Sequence, residues 1–328
     1  MIEKTTAFRE DNVHKILATA LFAASLTFGS AVAQPIGLGT SPQGTLTYGL
    51  GAALSKVLGE ANIQSRVQPQ SGTSTMVPLV NSGEIDVGFA NAAELYDSFH
   101  GVGTFDKRPN PKLRTIGIIF PLRAGLFVRA NSDIKSIKDM KGKRIAYGLT
   151  SQEIVRKTVD AMLATGGLTI KDLTPVLVPN VIRGVDELVS GRVDITVFAI
   201  GAAKVSEADA SVGVRFIPLE NTPASLAALK KEFPTGYLSQ ITPAPQLAGV
   251  KEPMTTMFYD YTVFANADVS ADRIKTITKL IAENKPALAA GQPSFRALEP
   301  ARMYTDISVP FHPGAIAYYG EKGIKESK

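Results

Sequence analysis

The chain has 328 residues, 45% hydrophobic and 20% charged, the balance of a folded protein with room for two modest lobes. Its net charge of +5 and lack of Lys/Arg runs give no footprint for nucleic acid, and the absence of Cys excludes disulfides, thiolate nucleophiles and Cys-ligated metals. The histidines are His14, His100 and His312, none in a cluster with metal-ligand spacing. No metal, no cofactor and no catalytic residue is therefore expected, and the chain reads as a binding protein more than an enzyme.

The N-terminus reads as an export leader. His14 and Lys15 precede an apolar run from Ile16, and Ala31-Val-Ala33 forms an A-x-A cleavage site before Gln34. A signal peptide over 1–33 and a mature periplasmic protein from about Gln34 are expected. The mature chain opens with a strand at 36–38 and a glycine- and hydroxyl-rich loop. An amphipathic helix follows, with Leu50, Ala53, Leu54 and Val57 on one face. Gly37, Gly39 and Gly44 let the backbone turn, and Thr40, Ser41 and Thr45 add hydroxyls beside the free N–H groups of the first helical turn. Tyr48 sits at the head of that helix. This is the arrangement of a seat for a small acidic group. Gly39 and Gly44 have Walker A spacing, but Thr45 stands where the lysine belongs.

A second strand near 65–68 leads to Ser71-Gly72-Thr73, another polar turn, and a helix over 75–81. The run 85–90 reads as a buried strand, and Asn91 opens a helix through Phe99, either as a plain N-cap or as a donor to ligand. Apolar runs at 113–120 and 125–128 follow, the second a candidate crossing between lobes, with Arg123 either placed to meet a carboxylate or a solvated surface residue. A strand at 144–147 precedes a third polar turn, Thr150-Ser151, with Ser151 a candidate N-cap of a helix to Ala164. Val80-Asn-Ser-Gly-Glu-Ile-Asp-Val and Leu188-Val-Ser-Gly-Arg-Val-Asp-Ile repeat one pattern. Asp86 and Asp194 in it read as turn and strand-start residues, because ligands gather at the other end of parallel strands. The chain returns through 257–265 to a long helix over 271–288. Phe198 and Tyr237 are candidate walls of the cleft where the three polar turns converge.

These units imply two α/β lobes, each a sheet flanked by helices, with the ligand cleft between them. The division expected is 34–124 for the first part of lobe one, 125–256 for lobe two, and 257–328 for the return that completes lobe one. At this level the chain resembles the TAXI-type solute-binding subunits of tripartite ATP-independent periplasmic (TRAP) transporters. The resemblance rests on Tyr48-Gly-Leu-Gly-Ala-Ala-Leu-Ser-Lys56, Gln70-Ser-Gly72, Ser82-Gly-Glu-Ile-Asp-Val-Gly-Phe89, Ile134 to Arg144 and the tail Phe311-His-Pro-Gly-Ala to Gly323. It implies a two-lobed periplasmic binding protein of type II-like fold, a monomer that captures a small anionic or zwitterionic solute, an organic acid or amino acid. The loaded form would dock on membrane-embedded TRAP permease subunits. It also makes His312 a structural tail residue. The alternative is an ABC-type binding protein for sulfonates or thiamine-like precursors, with an exported enzyme or a sensor on the same scaffold as further options.

Overall fold

The computed structural model describes residues 34–327, so the expected leader lies outside the described residues. β1 (Ile36–Thr40) is buried over its whole length and runs parallel to β2 (Ser65–Pro69) and β3 (Val87–Asn91). Between them lie α1 (Leu46–Glu60), α2 (Thr73–Ser82) and, after β3, α3 (Ala92–His100). The apolar face read from the sequence is the one that packs: Leu50, Ala53, Leu54 and Val57 are all buried. Gly37 and Gly39 are not turn residues but lie within β1. At Gly39, and at Gly88 in β3, an added Cβ would press into the side chain of Met76, so α2 sits directly on the sheet there.

β4 (Leu113–Arg129) is one continuous strand where the sequence shows two apolar runs. Seventeen residues at about 3.3 Å each reach far enough to serve both ends of the molecule. Next come β5 (Arg144–Gly148), α4 (Glu153–Thr165), β6 (Thr174–Val178), α5 (Val181–Val189), β7 (Thr196–Ala199), α6 (Ala203–Val212), β8 (Val214–Phe216), α7 (Pro223–Glu232) and β9 (Tyr237–Ile241). β10 (Met254–Asn266) then runs back antiparallel to β4 over most of its length. One end of the β4–β10 pair carries β3, and the other carries β7, β8 and β9. The main sheet therefore has the order β2-β1-β3-β10-β4-β7, while β5 and β6 form a separate parallel pair. The fold is the two-lobed α/β fold of periplasmic binding proteins, with the long β4–β10 pair at the middle of its main sheet.

The helix expected over 271–288 is two, α8 (Ala271–Glu283) and α9 (Lys285–Gly291). Pro286 explains the break, since it has no N–H to give and its ring clashes with the carbonyl four residues back. α10 (Pro313–Lys322) closes the chain, with His312 as its N-cap: Nδ1 accepts the Gly314 N–H at 3.2 Å. Asp86 and Asp194 do the structural work assigned to them. Asp86 accepts from the Gly37 N–H at 2.7 Å, and Asp194 accepts from the Arg144 N–H at 2.9 Å and pairs with its guanidinium. Each carboxylate ties the start of one strand to the first strand of its lobe. Among the described residues no helix is long and apolar enough to cross a membrane.

Candidate functional site

Helices begin where a strand ends, and here five of them begin around one space. A cavity of about 70 Å³ is lined by Leu46 and Thr47 of the first turn of α1, by Thr73 at the start of α2 and by Asn91, the N-cap of α3. From the other side come Gln152, the N-cap of α4, and Val181, the first residue of α5. The first turn of a helix holds N–H groups without intrahelical partners. Five such ends aimed at one cavity give it a positive potential. At about 10–15 Å³ per water, the cavity has room for roughly five to seven waters, the bulk of a small solute.

Strand alternation supplies the walls. Tyr259 and Tyr261 on β10 face the cavity while Asp260 between them faces away, and Leu122 and Ala124 do the same from β4. Phe198 of β7 closes the far side. Polar groups reach in between. The Ser41 hydroxyl is buried with no hydrogen-bond partner. Asn91 Oδ1 caps α3 by accepting the Ala93 N–H at 2.7 Å, while its amide nitrogen makes no hydrogen bond.

The acid in this cavity is Glu94, fully buried in the first turn of α3. Its Oε1 accepts from Ser74 Oγ at 2.7 Å, and Oε2 has no partner. Burial pushes its carboxyl up to about 7; Asp97 and Glu153 add repulsion, while the hydroxyls of Thr73 and Ser74 oppose the rise. Burial and the Glu94 charge also hold the phenols of Tyr259 and Tyr261 above the ordinary value. No Lys, Arg or His lines this cavity, and among the described residues no cluster of groups is arranged to hold a metal ion.

The space is shut by bonds between its two sides. Ser151 O accepts the Ser74 N–H at 3.2 Å, Ser74 Oγ accepts the Glu153 N–H at 3.0 Å, and Gly44 O accepts the Lys204 N–H at 3.1 Å. Lys157 of α4 pairs with Asp97 of α3 at 3.0 Å. Gly72 fits because it is glycine: a Cβ there would press into the Ser151 carbonyl.

Of the residues singled out from sequence, Ser41, Thr45, Thr73, Asn91 and Phe198 line the cavity, and Gly44 and Gly72 lie at its closing contacts. The others lie elsewhere. Thr40 turns its side chain toward Gly51 of α1 rather than the cavity, and Tyr48 is half-buried and does not line it. Ser71, two residues before the start of α2, is exposed and bonded to Thr75. Ser151 does not cap α4. Gln152 holds that position, its Oε1 accepting the Val181 N–H at 2.8 Å. Thr150 lies in a separate cavity of about 320 Å³. Arg123 lines a third, of about 530 Å³, together with Arg296, and burial lowers its pKa. Tyr237 stacks on Phe258 away from the site, ring centroids 5.6 Å apart. Sequence reasoning missed Glu94, Gln152, Tyr259 and Tyr261. The available signal was Asn91-x-x-Glu94, which has capping-box spacing, although here the acid turns to Ser74 instead.

A family model described as the NMT1-like family matches residues 38–323. Among solved structures, PhnD1 from Prochlorococcus marinus (MIT 9301), in complex with methylphosphonate, is similar at 12% identity. That match covers 80% of this chain and 90% of that one, with a TM-score of 0.54. A structure described as a periplasmic transporter gives 12% identity over 80% and 88% of the two chains, TM-score 0.54. The substrate-binding protein of an amino acid ABC transporter matches at 11% identity over 79% and 99%, TM-score 0.48. At these identities the likeness is one of fold. The family match overturns the expectation of a TAXI-type subunit serving a TRAP permease: the segments that carried that resemblance fall almost entirely within 38–323 and are accounted for by a different family. The chain belongs to the NMT1-like family.

Proposed function

We propose that this chain is an extracytoplasmic solute-binding protein that closes around a small polar solute and delivers it to an ABC-type permease without transforming it. Residues 34–124 and 257–328 form one lobe in this reading, residues 125–256 the other, and a leader over 1–33 directs export to the periplasm. The observation that carries it is the cavity at the convergence of five helix N-termini, bridged by hydrogen bonds from both sides. The NMT1-like family and the periplasmic-binding fold support it.

Five helix ends at about 0.3–1 kcal/mol each supply roughly 2–5 kcal/mol toward an acidic group. A micromolar ligand needs about 8 kcal/mol, and the remainder falls to Ser41, Asn91, Thr73 and the aromatic walls once closure excludes water. The test is a thermal-shift titration of the protein from Gln34, unfolded and refolded to strip any carried ligand, against amino acids, carboxylates, sulfonates and phosphonates. One class should raise the midpoint saturably, by the equivalent of about 2.7 kcal/mol at a hundred times Kd. No shift with any class overturns the reading. Uptake that survives loss of ATP hydrolysis would remove the ABC-type partner alone.

A further inference from the structure

Glu94 is a fully buried acid with one oxygen bonded to Ser74 and the other without a partner, in a cavity that no cationic side chain lines. The nearby cation Lys157 is engaged with Asp97. A buried carboxylate oxygen left without a donor is costly; the Thr73 hydroxyl acts on this carboxyl without closing a hydrogen bond to Oε2, and an occupant of the cavity can supply the missing donor. Five helix N-termini make the acid tolerable where it stands, and the same field has room for a second negative group on the ligand. Phe198, Tyr259 and Tyr261 line the same cavity, aromatic groups of the kind that attract a cation.

Resting on the solute-binding reading, we infer that Glu94 is the specificity-determining residue of the site: it selects ligands that carry a nitrogen N–H donor, an ammonium in the first instance, beside their acidic group. The helix N-termini take the acid and Glu94 takes the nitrogen. A site built to hydrogen-bond a ligand N–H rejects the analogue lacking it, because its own buried group is then left unpaired.

The probes are matched pairs that differ in one amine: L-alanine and propionate, taurine and ethanesulfonate, 2-aminoethylphosphonate and ethylphosphonate. Calorimetry on refolded protein should show the amine-bearing member of one pair binding at least tenfold tighter than its twin. In Glu94→Gln that preference should shrink at least tenfold while the twin binds no worse. Glu94→Asp, which keeps the charge and withdraws it by one methylene, provides a second variant should Gln perturb folding; it too should lose preference. Twins that bind wild-type protein equally well, or variants that keep the full preference, overturn the inference and leave the solute-binding reading standing. Failure of every probe to bind refolded wild-type protein counts against that reading and takes the inference with it.

Discussion

The Glu94→Gln substitution has a second consequence that needs no ligand. In the folded protein the carboxyl sits near 7 against an ordinary 4.5, mainly because burial penalises its charged form. At about 1.4 kcal/mol per pKa unit, that gap is worth roughly 3 kcal/mol. A raised carboxyl pKa means that the folded state holds its proton more tightly than the unfolded chain does. The contribution is therefore fully present below about pH 4.5 and is lost as pH rises through about 7. The charged and titratable groups facing Glu94 are Asp97 on its own helix, Glu153 on α4 and Tyr259 and Tyr261 on β10. A glutamine keeps an oxygen for the Ser74 hydroxyl and never ionises. Wild type and Glu94→Gln should thus be close in stability at pH 5, and the variant more stable by up to about 3 kcal/mol at pH 8. Urea unfolding of both proteins at fixed pH from 5 to 8.5 reads the difference directly, and the other titrations cancel in it. Parallel profiles for the two proteins would refute the buried, partly uncompensated acid.

Gly72→Ala should weaken ligand binding at least tenfold, since its Cβ would press into the Ser151 carbonyl at the contact that shuts the site; small-angle scattering with saturating ligand would show the lobes held apart. Lys157→Ala strands Asp97, whose side chain is only 16% exposed, and should cost the closed arrangement about 1–3 kcal/mol, measured as a rise in ligand Kd. Asp86→Ala removes the acceptor of the Gly37 N–H and should lower stability by about 1–3 kcal/mol. Asp194→Ala breaks a half-exposed pair with Arg144 worth no more than about 1 kcal/mol. Neither should alter affinity, and a binding defect in either would return these carboxylates to the site.

The fold was legible wherever a local signal and its structural cause share the same few residues. The apolar spacing of α1 and the Asn91 cap carry their reason within ten residues. The long β4 was read as two pieces because Pro121 and Arg123 interrupt the apolar run, while the pairing with β10 that carries the strand through them lies 130 residues away. In the site, the turns could be ranked only by hydroxyl content, and hydroxyls at such turns also serve the backbone, as Ser71 does with Thr75. Gln152 caps α4 with no side-chain bond of its own to that helix and spends its amide oxygen on α5, a choice made by packing between helices. Tyr259 and Tyr261 were recognised as part of a returning strand, but which face of that strand meets the cavity is decided by its register against β4.

Glu94 was the least legible residue for a physical reason that also explains its interest. An acid three residues into a helix normally spends itself on the helix's own N–H groups, and sequence offers no reason to doubt it here. What turns it inward is Ser74, delivered by α2, whose hydroxyl donates to Glu94 and accepts from the Glu153 N–H across the cleft. That hydroxyl belongs at once to the recognition of the acid and to the closing contact. Hydrogen bonds in such a chain polarise one another, and a bond to an ionised acceptor is roughly twice as strong as a neutral one. An ionised Glu94 therefore draws the Ser74 proton and makes Ser74 Oγ the better acceptor for Glu153. A neutral Glu94 loosens both. The charge state of one buried acid and the grip of one lobe on the other pass through a single oxygen atom.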